Sequence, residues 1–378
     1  MSEEDIYRLF IEWMKKSWYG LPEAEEMIPL IKTRYTPEEA SLLTGLPYSV
    51  TDLEALAKLK GMNPSELAPR LDDLAKKGVV FRSAMGGKVR YSLNDSFFVF
   101  LRSAFWPGRT DEASKAMAPL ANEYFYHGFF DPYAGVQARG LRALPVQETI
   151  GDTRQVMPYE DVARVLEAQD YFCVTTCPCR HRKNLDPDSP NCKHPTENCL
   201  HFGRLAHYVV EQGLGREISR QEAQEILRQA ADSGLVHGLS NWQEGADTIC
   251  NCCKCCCMWF EGFHKLRHEK SMDASNYRVR THPETCQGCG LCVKRCPMEA
   301  LQLESSPEAR NKTGKVAVLN LGLCIGCGVC AHKCPAHSLI LERREGIADP
   351  PLDGRDYTKR FMADRQAAQA MLEERKTK

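Results

Sequence analysis

Between Cys250 and Cys257, six of eight residues are cysteine, in the stretch CNCCKCCC. Thiols at that density serve metal ligation or thiol exchange rather than ordinary core packing. The chain has 378 residues and 19 cysteines, all between Cys173 and Cys334. An odd total rules out a complete disulfide set, and the spacings are those of metal ligands. Eight cysteines form two runs of the pattern C-x2-C-x2-C-x3-C-P, namely Cys286, Cys289, Cys292 and Cys296, then Cys324, Cys327, Cys330 and Cys334. The remaining eleven fall into three groups: Cys173, Cys177 and Cys179; Cys192 and Cys199; and Cys250, Cys252, Cys253, Cys255, Cys256 and Cys257.

The two runs align without gaps, as CQGCGLCVKRCPMEALQLE and CIGCGVCAHKCPAHSLILE. Three thiolates at i, i+3 and i+6 can wrap one side of an iron–sulfur cluster. Gly288, Gly290, Gly326 and Gly328 let the backbone approach the sulfurs, and Pro297 and Pro335 turn the chain away after the fourth cysteine. Residues 285–342 resemble bacterial-type two-[4Fe-4S] ferredoxin domains. The resemblance implies that Cys286, Cys289 and Cys292 bind one cluster with Cys334, and that Cys324, Cys327 and Cys330 bind the second with Cys296. Zinc is the competing assignment, but zinc sites use separated C-x2-C pairs. Small ferredoxins of this kind are usually acidic. Here six Lys and Arg residues between Glu284 and Leu341 face four acidic ones, which points to a built-in wire rather than a free shuttle.

The central cysteines admit more than one arrangement. If 250–257 is helical, Cys250, Cys253 and Cys257 share one face and Cys252, Cys255 and Cys256 the opposite one. Each face then lacks one thiolate for a [4Fe-4S] site, which the upstream group could supply. One or two further iron–sulfur clusters are therefore expected in the central region. The alternative is structural zinc, with Cys177, Cys179, Cys192 and Cys199 as a knuckle, or a set of reactive thiols. Arg180, His181 and Arg182 place positive charge beside Cys179, which favours thiolate. His181, His194 and His201 are possible further ligands, and His237 reads as a core histidine.

The elements that must position these residues divide the chain. The fold class is α+β, mainly helical. Residues 1–130 read as a helical domain, 131–172 as a connector, 173–270 as a cysteine-rich cluster-binding domain, 285–342 as the ferredoxin domain, and 343–378 as a solvated tail helix. Ile6, Leu9, Phe10, Trp13 and Met14 mark an amphipathic core helix. Over about 30–92 the pattern is helix, turn, helix and a hairpin closed by AMGG, and this segment resembles the winged helix-turn-helix fold. The resemblance implies DNA binding. The expected recognition helix, Pro64 to Lys77, has balanced charges and is interrupted by Pro69, so docking is the preferred role and nucleic acid is not an expected partner.

Net charge is −1, 43% of residues are hydrophobic and 26% charged. Nothing global attracts nucleic acid or anionic membrane. The acidic start MSEEDIYRLF lacks the basic character of a signal peptide, and no apolar run is long enough for a membrane span. A soluble cytoplasmic protein is expected. No phosphate-binding loop or recognisable catalytic triad occurs, so no catalytic residue is assigned. The expected function is one-electron relay serving a low-potential oxidoreductase, with a redox partner protein, in anaerobic metabolism. Two alternatives stand beside it: a redox- or metal-sensing winged-helix transcription regulator, and a central cluster that is itself catalytic.

Overall fold

The computed structural model describes residues 2–85, 87–129, 136–189, 191–268 and 271–377. Helix makes up 42% of the chain and strand 18%. The expected boundary at 130/131, the end of the central domain at 270 and Gly86 of the AMGG turn lie outside the described residues.

The first helix, Glu3–Met14, begins at a capping box between Ser2 and Asp5 and buries Tyr7, Phe10, Ile11 and Met14. Of the apolar set expected to pack, Leu9 instead faces solvent. Helices Met27–Arg34 and Pro37–Leu43 complete this core. Strand β1 (Thr51–Asp52) then leads into helix Leu53–Lys60, which Gly61 ends with φ +62°. Pro64 opens the next helix, which runs to Lys76 unbroken through Pro69. Strands β2 (Val80–Met85) and β3 (Lys88–Leu93) follow, and the three strands form a sheet in the order β1-β3-β2.

The centre of the molecule is one antiparallel sheet of six strands: β4 (Leu141–Leu144), β5 (Phe172–Thr176), β6 (Glu197–Phe202), β7 (Arg216–Ile218), β8 (Val236–Ser240) and β9 (Thr248–Cys252). Their order is β4-β8-β9-β6-β5-β7. Two sequence expectations change here. The segment read as a connector supplies β4, an edge strand of this sheet, because Leu141, Ala143 and Leu144 have a buried place to go. The cysteine-dense stretch is not helical: Cys250 and Cys252 belong to β9, Cys253–Cys257 form a turn, and helix Met258–His264 starts only after Cys257. The β-branched pair Thr248-Ile249 and the two flanking strands hold β9 extended.

In the C-terminal part, β10 (Tyr277–Thr281) pairs with β13 (Leu339–Arg343), and β11 (Leu301–Ser305) with β12 (Lys315–Leu319). Helix Gly354–Thr377 is not simply solvated. Its Tyr357 and Phe361 are buried against Trp18, Tyr19 and Trp242, which ties the end of the chain to its beginning. Among the described residues no helix is long and apolar enough to cross a membrane.

Candidate metal centres

The two C-terminal cysteine runs fold alike. Gly288, Gly290, Gly326 and Gly328 all have positive φ, as a chain wrapping closely around a ligand requires. Three residues after the last cysteine of each run sits a non-glycine residue in the left-handed region, Glu299 (φ +55°) and His337 (φ +48°). Each turn aims the next backbone N–H at a sulfur: Ala300 donates to Cys296 Sγ and Ser338 to Cys334 Sγ, both at 3.3 Å. Such N–H···S bonds stabilise a thiolate and tune a bound cluster.

Two small cavities result. One is lined by Cys286, Cys289 and Cys292 together with Cys334. The other is lined by Cys324, Cys327 and Cys330 together with Cys296. Each therefore gathers three thiols from one run and the fourth from the other. No thiol–thiol contact joins any two of the eight among the described residues. The donors thus stand around a space, as a polynuclear cluster needs, and the residues present fit such a group.

The eleven central cysteines separate into distinct sets. Cys192, Cys253, Cys255 and Cys256 form a closed quartet whose sulfurs all lie within 4.8 Å of one another. A second set is a chain of thiol contacts from Cys199 through Cys250, Cys252 and Cys257 to Cys179. The register explains its start. Leu200 pairs with Ile249, so Cys199 on β6 comes opposite Cys250 on β9. Cys177 is half-buried next to this chain, and loss of solvent pushes its thiol up to about 11. The facial sets expected from a helix thus exchange one member each: Cys252 joins Cys250 and Cys257, and Cys253 joins Cys255 and Cys256. The upstream segment adds Cys192 to one set and Cys179 and Cys199 to the other. The knuckle of Cys177, Cys179, Cys192 and Cys199 is not assembled, because Cys192 points into the quartet and the other three into the second set.

Cys173 belongs to neither set. It lies on β5 within an apolar cluster with Phe98, Trp106 and Tyr208, and burial pushes its thiol up to about 12. His181, His201 and His237 are engaged elsewhere. His181 Nε2 donates to the Arg109 carbonyl at 2.7 Å, and His201 is held between Thr175 and Thr248 at 3.1 Å each. His237 bonds Asn251 Oδ1 at 2.6 Å, as a core histidine does. His194 is half-buried, and burial lowers its pKa.

A cavity of about 220 Å³ opens on the second thiol set. Cys177, Cys179, Cys199, Cys250, Cys252 and Cys257 line one end together with Cys253 of the quartet, and Trp18, Phe97, Trp106, Trp242 and Trp259 form aromatic walls. On the same measure each ferredoxin cavity holds about 10 Å³, so this space exceeds what a four-thiol site takes. Sequence reasoning missed this chamber because its walls come from residues 18 to 358, far apart in the chain. Arg180 is one of the residues from which the sequence leads us to expect positive charge beside the cysteines. That side chain is fully buried between the two thiol sets, donating to Pro195 O at 2.6 Å, Asn198 Oδ1 at 3.2 Å and Asn251 O at 2.9 Å.

The C-terminal and central parts are in direct contact. Arg295 donates to the carbonyls of Val329, Asp232 and Ala231 at 3.1, 3.2 and 2.9 Å. His264 Nε2 donates to Pro297 O at 2.7 Å, and Val146 N to Cys327 O at 3.1 Å. Lys254, inside the quartet's turn, pairs with Glu299.

Comparison with curated proteins finds no match to the chain. The family model of a 4Fe-4S dicluster domain matches residues 285–338. The C-terminal part is therefore a ferredoxin-like iron–sulfur domain of the electron-transfer kind, joined to a cysteine-rich region inside a mixed helix and sheet fold.

Proposed function

We propose that the chain is an iron–sulfur electron-transfer protein, a subunit of or dedicated donor to a low-potential oxidoreductase in the cytoplasm of an anaerobically growing cell. The observation that carries this reading is the crossing of cysteines between the two C-terminal cavities. Cys286, Cys289, Cys292 and Cys334 would hold one [4Fe-4S] cluster, and Cys324, Cys327, Cys330 and Cys296 the other. Such clusters, when bound, supply one-electron storage and transfer. The residues of this chain supply the rest. The N–H groups of Ala300 and Ser338 stabilise two thiolates, and Arg295 and His264 keep the C-terminal part against the central sheet. That packing supports a fixed wire leading from the central thiols to the surface.

The N-terminal part is proposed to be a winged-helix-like docking module. The strand order β1-β3-β2 with helices Leu53–Lys60 and Pro64–Lys76 supports the likeness. Against DNA reading stands the exposed face of the second helix, where Glu66 and Asp73 offset Arg70 and Lys76. Its C-terminal end is also occupied, since Tyr208 Oη donates to Ala75 O at 3.3 Å. The regulator reading is the weaker for both reasons.

A second reading, in which the central thiols serve a reaction centre, is favoured by the 220 Å³ aromatic-walled cavity in front of them. Anaerobic determination of iron and acid-labile sulfide, with EPR of the reduced protein, tests the main proposal. About eight irons are expected from the C-terminal domain, with additional reduced-cluster signals from the second thiol set. Fewer than two clusters in total would overturn it.

A further inference from the structure

The quartet Cys192, Cys253, Cys255 and Cys256 differs in kind from the cluster cavities. Cys192 and Cys253 sulfurs are 3.9 Å apart, Cys255 and Cys192 3.4 Å, and Cys256 and Cys255 3.7 Å. Four thiolates bound tetrahedrally to one zinc ion at about 2.3 Å have sulfur–sulfur edges of about 3.8 Å. In a cubane each thiolate binds a different iron, so its sulfurs stand further apart. The ferredoxin quartets of this same chain do stand apart, with no thiol–thiol contact, whereas the central quartet is drawn in to the edge length of a single ion.

We infer that this quartet is a closed, mononuclear tetrathiolate zinc site, separate from every iron–sulfur centre of the protein. The inference stands independently of the proposed electron-transfer role. Three of its cysteines are buried and Cys255 reaches the surface. Cys192, Cys253 and Cys256 belong to a small apolar cluster with Ala230 and Leu235, and four thiolates fill all four positions of a tetrahedral ion. Four protein thiolates and no open position is the arrangement of a structural zinc ion. Such an ion carries out no electron transfer.

Its work follows from where the ligands sit. Cys253, Cys255 and Cys256 occupy the turn between β9 and helix Met258–His264, and Cys192 comes from the segment before β6. Closing the quartet fixes that turn. Cys250 and Cys252 precede it and Cys257 follows it, and all three line the 220 Å³ cavity, which the first residue of the turn, Cys253, also reaches. A dense cysteine stretch thereby feeds two centres: alternate strand positions and the helix start face the cavity, while the turn between them is clamped by zinc. The buried Arg180 lies between the two sets and offsets negative charge from both.

The test uses the full-length protein purified anaerobically. Zinc, iron and sulfide are measured in the wild type and in Cys255→Ser, Cys256→Ser and, as a control, Cys173→Ser. The expected result is about one zinc per wild-type chain, lost in the first two variants and kept in the control, with iron and sulfide unchanged. X-ray absorption at the zinc edge of the wild type gives a readout that does not depend on variant folding. It should show sulfur neighbours alone, at about 2.3 Å, with no second metal nearby. Loss of iron and sulfide together in Cys255→Ser or Cys256→Ser would overturn the inference, as would a wild-type protein free of zinc.

Discussion

The carboxylate of Glu261 lies 3.1 Å from the ammonium of Lys183, and both side chains are withdrawn from solvent. Lys183 is on the helix Pro178–Leu185, which carries Cys179 and begins just after Cys177, and Glu261 is on the helix that begins just after Cys257. Lys265 and Tyr126 lie at 2.9 and 2.5 Å from Glu261 Oε1, and the buried Arg182 lies 3.6 Å from Glu261 Oε2. The two cysteine segments that frame the cavity are thus joined behind it by a buried charge network. Removing the carboxylate leaves the buried cations Lys183 and Arg182 without it. Glu261→Ala should therefore destabilise the protein by about 3–5 kcal/mol. Anaerobic urea unfolding should show this, with iron in the central region falling alongside. A change under about 1 kcal/mol would mean that water replaces the carboxylate at no cost.

The crossing of cysteines between the C-terminal cavities makes a prediction that counting ligands per run does not. Cys296→Ala combined with Cys327→Ala removes two thiols from one cavity. Cys296→Ala combined with Cys289→Ala removes one thiol from each. The first double variant should lose about four irons and keep the other cluster, and the second should lose about eight. Iron analysis of the full-length variants, with sulfide, distinguishes them. The reverse pattern, about eight irons lost in the first double variant and about four in the second, would mean that each run holds its own cluster.

How far the sequence could be read depended on whether the chemistry was local. The ferredoxin part was legible because ligand spacing, glycines and prolines lie within one run, and the structure adds only the left-handed Glu299 and His337. The central part was legible in composition but not in shape. Six cysteines hide the alternation that marks a strand, and helical spacing of Cys250, Cys253 and Cys257 is as good a match to the letters as the true one. Thr248-Ile249 was the available signal for extended structure, but it covers two residues. Strand β4 was hidden because LRAL is too short to stand out, and it is a strand only because β8 lies beside it. The tail helix buries two aromatic side chains, too few to announce an apolar face.

Backbone approach in the ferredoxin part can be tested at two glycines with nearly the same φ. A Cβ on Gly326 would collide with the Tyr277 carbonyl and Ser275 Oγ, whereas one on Gly314 meets nothing within 4 Å. Gly314→Ala should cost only the left-handed penalty of about 1–2 kcal/mol. Gly326→Ala must also displace the backbone of β10, and should lower the unfolding midpoint further and reduce iron retention. Similar losses in both variants would show that conformation, not contact, sets the requirement at Gly326.

The pair of His127 and Glu26 gives a pH dependence far from any cysteine. Glu26 Oε1 lies 2.7 Å from His127 Nδ1, and this hydrogen bond raises the histidine pKa above its ordinary value. Glu123, at 3.7 Å from Nε2, adds to the effect. A histidine that holds its proton more tightly when folded favours folding while it is charged. That contribution is complete below the unfolded pKa of about 6.5 and disappears as pH rises through the higher folded value. His127→Gln should therefore lower the unfolding midpoint at about pH 6 and leave it nearly unchanged at about pH 9. The ring is exposed, so the difference will be small and should shrink further in high salt. A difference between wild type and variant that does not vary with pH would show that the imidazole acts through packing rather than charge.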